Sequence, residues 1–260
     1  MTDNKPIYWS LRVAAAACFI GHGVFGIITK AAWVPYFGVI GIPEAWAWKL
    51  MPIIGTVDIV AGLSVLFSPR PIVLLYMAVW ATWTALLRPL SGDSSFEMIE
   101  RAGNYGVPLA LLLMFGWPRG VKAWLRQLTP DLTTADPAFI ARILAWTTAM
   151  LLFGHGALSA FNAKPTLVSH YALVGLPPAA LTMTGWAEII AAVIIAIRPN
   201  ATLLLGVVVW KMATEALYPV SGTPIWEFVE RAGSYAAPLA LALILIESRM
   251  TYPTLQRSSR

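Results

Sequence analysis

A block in the middle of the chain returns near its end at a fixed spacing. Trp80, Thr84, Pro89, Ser91, Gly92, Glu97, Glu100, Arg101, Ala102, Gly103, Tyr105, Pro108, Leu109 and Ala110 recur as Trp210, Thr214, Pro219, Ser221, Gly222, Glu227, Glu230, Arg231, Ala232, Gly233, Tyr235, Pro238, Leu239 and Ala240. Each partner lies 130 positions on, as 231 does from 101. Upstream, Gly21-His22-Gly23 answers to Gly154-His155-Gly156 and Gly41-Ile42-Pro43 to Gly175-Leu176-Pro177, with loop insertions shifting the offset, and Asp58 falls opposite Glu188. A repeat of this length decides the architecture before any helix is assigned. It gives a first unit over residues 1–120, a linker over 121–137, and a second unit over 138–260 that includes a C-terminal tail.

Each unit is too apolar for a soluble core. Apolar residues make up 58% of the 260 and charged residues 12%, with a mean hydropathy of +0.69, against about a quarter charged in soluble domains. A span needs roughly 20 apolar residues to cross the hydrocarbon. The sequence predicts eight: Leu11 to Thr29, Leu50 to Phe67, Ile72 to Leu87, Phe96 to Trp117, Ala141 to Phe161, Leu181 to Ile197, Thr202 to Leu217 and Trp226 to Ile246. The expected fold class is all-α, a polytopic membrane protein of two parallel four-helix repeats related by an axis along the membrane normal.

An even number of spans per unit puts both termini and the linker on one side. That side holds Lys5, Arg12, Arg70, Arg119, Lys122, Arg126, Arg142, Arg198, Arg249, Arg257 and Arg260, which is 11 of the 18 basic residues. The positive-inside rule makes it the cytoplasmic side. The linker, with Trp124 and Leu125 among cations, reads as a short amphipathic helix on the inner surface. Because the cations are scattered at span ends and form no stripe, a nucleic-acid partner is not expected despite a net charge of +5. The first span lacks a small-residue cleavage site, so no cleaved signal peptide is expected. Cys18 alone precludes an internal disulfide.

Ionisable groups inside spans are costly and point to function or to a partner close by. By residue count His22 and Asp58 reach similar depths near the midplane, roughly 15 to 18 Å in, and His155 with Glu188 repeats the arrangement. Three readings stand: each histidine pairs with its carboxylate and ties two helices together, His22 and His155 ligate a haem between the copies, or the four residues meet a quinone head group. A second candidate set opens the fourth span of each unit, where Glu97, Glu100 and Arg101, with Glu227, Glu230 and Arg231, form a charged collar or an outward-facing pocket for a polar head group. Glu97 with Arg101 and Glu227 with Arg231 are four apart and can pair. Ser94 reads as a helix cap, Thr223 with Pro224 as a cap and first-turn proline, and Pro108 and Pro238 as kinks.

The copies differ in the seventh span, where Lys211 and Glu215 replace Ala81 and Ala85. Lys before Glu is the weaker order for an isolated helical pair, so a contact from another helix is expected, with Glu188, Glu227 or Arg231. A single functional site is expected near the second copy, in the deeper and more polar of two equivalent cavities.

The order Arg12, Gly21-His22-Gly23, Tyr36-Phe37, Gly41-Ile42-Pro43, Asp58, Gly62-Leu63 and Arg70, repeated through Arg142, Gly154-His155-Gly156, Gly175-Leu176-Pro177, Glu188 and Arg198, resembles the DoxX-like superfamily of four-helix membrane proteins. Gly26 and Ser159 stand where its members usually carry a lysine. The resemblance implies a tandemly duplicated, integral inner (plasma) membrane protein of a bacterium, accessory to a redox process, that binds quinone or anchors a redox protein partner, with homo-oligomers also open. The alternatives are a small-molecule or ion carrier and a membrane assembly protein.

Overall fold

In a computed structural model that describes residues 4–251, the chain consists of helices and turns, with no strand among the described residues. The first half runs through α1 (Lys5–Ile27), α2 (Val34–Gly38), α3 (Glu44–Phe67), α4 (Pro71–Leu90), α5 (Ser95–Glu100) and α6 (Ala102–Leu113). The linker holds α7 (Val121–Leu125). The second half runs through α8 (Pro137–Ala160), α9 (Pro165–Leu173), α10 (Pro178–Ile197), α11 (Ala201–Val220), α12 (Trp226–Glu230) and α13 (Ala232–Thr251). Arg257, Arg260 and the Arg249 side chain, counted above on the cytoplasmic side, lie outside the described residues.

Six helices, α1, α3, α4, α8, α10 and α11, have 20 to 24 residues and are apolar enough to cross a membrane. These are the helices of an integral membrane protein in contact with lipid. The fourth and eighth expected spans differ: each is two helices that meet at Arg101 or Arg231. The cause is local. Arg101 Nη1 donates to the Glu97 carbonyl at 2.9 Å and Arg231 Nη1 to the Glu227 carbonyl at 2.7 Å. That carbonyl, four residues back, is the acceptor a helical amide would take. The Arg101 amide turns to Met98 instead, at 3.3 Å. The break therefore precedes the prolines, and Pro108 and Pro238 sit inside α6 and α13.

Caps follow the sequence only in part. Ser94 accepts from the Phe96 amide at the start of α5, whereas α12 starts at Trp226 without a side-chain cap and the Thr223 hydroxyl has no protein partner. Arg12 is buried at the far end of α3, donating to the Val65 carbonyl at 2.9 Å and the Leu66 carbonyl at 2.6 Å. It thus supplies donors that the last turn of a helix lacks. The linker is anchored as well as helical: buried Leu128 donates its amide to Pro69 and accepts from the Tyr8 hydroxyl.

Small residues set the helix contacts, as expected where lipid removes the hydrophobic drive between helices. A Cβ on Gly23 would stand 2.5 Å from the Gly55 carbonyl oxygen, and one on Gly156 2.6 Å from that of Gly185. This fixes α1 on α3 and α8 on α10. The two broken helices cross at a single point, where a Cβ on Gly103 would lie 2.7 Å from the Gly233 carbonyl carbon. Contacts across the halves are exchanged: α1 packs on α12 and α13, while α8 packs on α5 and α6.

Candidate functional site

The close α1–α3 contact brings His22 Nδ1 to 3.0 Å from Asp58 Oδ2, and α8 on α10 brings His155 Nδ1 to 2.6 Å from Glu188 Oε2. An ionised carboxylate only accepts, so the proton sits on Nδ1 and each Nε2 is left for other work. The two pairs are otherwise unalike. His155 is buried, and Glu188 takes a second bond, 2.7 Å, from Trp210 Nε1. Asp58 is one methylene shorter, and Trp80, the counterpart of Trp210, keeps its Nε1 enclosed with no acceptor.

His22 opens onto a cavity of about 140 Å³ in the first half. Its ring stacks on Trp33, with centroids 4.4 Å apart and planes at 28°. Trp80, Trp83 and Phe37 supply further apolar walls, and Arg88, Arg101, Asn104 and Glu230 supply polar ones. A dry cavity of about 150 Å³ accommodates one benzene ring, so the space suits a single planar ring. At its rim Arg88 Nη1 donates to the Tyr36 hydroxyl at 3.0 Å, and that hydroxyl donates to exposed Asp93 at 3.0 Å. Burial holds the Tyr36 phenol above its usual pKa, which keeps that donor in place.

The second half keeps only a small polar cavity, about 20 Å³ and bordered by Glu215 and Arg231, where a deeper one is expected from the sequence. Lys211 and Glu215 are 1% and 2% exposed. Lys211 Nζ lies 2.7 Å from Glu215 Oε1 in a buried ion pair. The expected contact from another helix is there: Arg231 Nε reaches Glu215 Oε2 at 3.1 Å. The ring of buried Tyr218 covers the Arg231 guanidinium at 4.0 Å. The polar residues of the second half fill most of one another's space, and the larger cavity that combines aromatic and charged walls is in the first.

The Glu-x-x-Glu-Arg blocks form two charge clusters at the helix breaks. Arg101 Nη1 meets Glu97 at 2.7 Å and Glu100 at 3.0 Å, and Arg231 Nη1 meets Glu227 at 2.6 Å and Glu230 at 3.1 Å. Each cluster is completed from the opposite half, by Lys164 on Glu97 and Lys30 on Glu227, both at 2.6 Å. Sequence reasoning left these lysines among the scattered cations, although their spacing of 134 is the one that relates Gly41 to Gly175. It also missed Arg88 and the tryptophan walls. Between the clusters lies a small polar cavity bordered by Arg101, Asn104, Glu215, Glu230 and Ser234. Its Arg101, Asn104 and Glu230 also line the aromatic cavity.

Haem between the copies finds no support here. Of the two histidines, His22 lies on the cavity, while His155 is enclosed beside Glu188. Comparison with known protein families, with curated proteins and with solved structures finds no match to the chain.

Proposed function

We propose that the chain is a DoxX-like membrane protein of two parallel four-helix units and eight crossings, serving a redox process by holding one quinone head group in the first-half cavity. It sits in a bacterial plasma membrane with its termini in the cytoplasm, where its cationic side faces inward. The observation that carries this reading is the cavity walled by aromatic rings onto which His22, paired with Asp58, opens, with Trp80 Nε1 and Asp58 Oδ1 both enclosed and unpartnered behind its wall. Buried polar groups are nearly always paired, and a ligand carbonyl at this wall gives the indole an acceptor where Asp58, one methylene shorter than Glu188, does not reach it. A quinone carbonyl supplies that acceptor and its ring supplies a flat apolar body. His22 Nε2 faces the ring as a proton acceptor for the hydroxyl of the reduced form. The broken fourth helix of each unit completes a crossing, as discontinuous helices do where they line a polar cavity.

Lipid extracted from the purified protein tests this. Quinone should be enriched over bulk membrane lipid and fall several-fold in a Trp80→Phe or His22→Phe variant that still folds. An empty wild-type protein that also fails to take up added short-chain quinone overturns the reading and leaves a carrier or an assembly partner.

A further inference from the structure

The second half displays, in its own side chains, what the first-half cavity lacks. Around Arg231, Glu215 Oε2 takes the Nε edge and Tyr218 covers the face. The counterparts on α4 are Ala85 and Arg88. Arg101, the counterpart of Arg231, bonds through Nη1, and its Nε and Nη2 donate to no protein atom among the described residues. It lines both the aromatic cavity and the small polar one beyond it.

Charge differs between the clusters in the same sense. Three cations, Lys30, Lys211 and Arg231, face three carboxylates, Glu215, Glu227 and Glu230. In the other cluster Arg88, Arg101 and Lys164 pair with Glu97 and Glu100. The histidine–carboxylate pairs are one on each side, and Asp93 is exposed and bonds to Tyr36. The first half therefore holds one buried carboxylate fewer than the second around its arginines, and has room there for one more negative group. Glu230 also borders the cavity, but it is held by Arg231 at 3.1 Å.

We propose that the first-half cavity takes a planar ring bearing an anionic oxygen, a carboxylate or an ionised ring hydroxyl, which lies against Arg101 and Arg88 where the second half supplies its own Glu215. This rests on the reading of the cavity as a ligand site and adds a charge requirement to it. The ring lies against the tryptophans, and the anion replaces the missing third carboxylate. A charge-assisted bond to arginine is worth roughly 1.5–3 kcal/mol, or about tenfold and upward in affinity.

Two matched pairs of probes test it on the full chain in detergent, by calorimetry: a para-alkylbenzoate against the corresponding benzamide, and an ionised hydroxybenzoquinone against a neutral methylbenzoquinone. At least one anion should bind about tenfold or more tighter than its neutral partner, and which one does so identifies the source of the oxygen. Ala85→Glu, which installs the internal carboxylate, should erase the preference, while Ala85→Gln should retain it. Neutral probes that bind as tightly as both anions overturn the charge requirement and leave the ring site standing. Failure of all four probes overturns both.

Discussion

Lys30, just beyond the end of α1, places its ammonium 2.6 Å from Glu227 Oε1 at the start of α12, in the opposite half of the chain. Lys164 does the same to Glu97 from the other side. Both lysines are mostly buried, at 26% and 20% side-chain exposure, so water does not replace the bonds cheaply. Lys30→Ala should cost about 1–3 kcal/mol, seen as a lower melting temperature in detergent. Reversing the pair, Lys30→Glu with Glu227→Lys, should do worse than the single change, because Glu227 also binds Arg231.

Gly103 and Gly233 are predicted to tolerate no side chain. Each added Cβ would stand within 2.7 Å of the other's backbone carbonyl carbon, and main chain cannot rotate aside as a side chain can. Gly233→Ala should therefore destabilise by about 1–3 kcal/mol or more. Gly206 in α11 has open space around its Cα, and Gly206→Ala should be neutral or stabilising by up to about 1 kcal/mol through helix propensity. Thermal melts of the two variants side by side check both claims.

Trp80 and Trp210 occupy corresponding positions with different duties. Trp210→Phe removes the donor from Glu188 and should lower stability by about 1–3 kcal/mol. Trp80→Phe removes a donor that has no protein acceptor. It should leave the melting temperature of the empty protein close to wild type and reduce ligand retention. Loss of stability in both, with retention unchanged, would make Trp80 a packing residue.

Lys211→Ala should destabilise by about 3–5 kcal/mol, since it leaves Glu215 buried beside a single arginine, whereas Lys211→Ala combined with Glu215→Ala should cost less than the single change. Chemical denaturation of the purified variants gives the comparison. An additive double variant would mean that the two charges are stabilised independently.

Much of the local chemistry could be read from spacing. His22 with Asp58, and Lys211 with Glu215, were legible because helix geometry fixes depth and the four-residue repeat. The Arg231 contact was legible because Lys before Glu is the weaker order for a helical pair, which calls for a contact from another helix. Two features were not. The break at Arg101 arises from a guanidinium folding back onto its own helix, which leaves no mark in hydropathy. The size of the second-half cavity was overestimated because polar residues were counted as though they lined space, when Lys211 and Tyr218 are enclosed and Glu215 borders only a small polar cavity. Ala81, which looks like absent function, lines the first-half cavity.

The exchanged lysines make neither half self-sufficient. Cut apart, each would keep the arginine of its own cluster but surrender the cation that completes it, leaving two carboxylates to share one guanidinium.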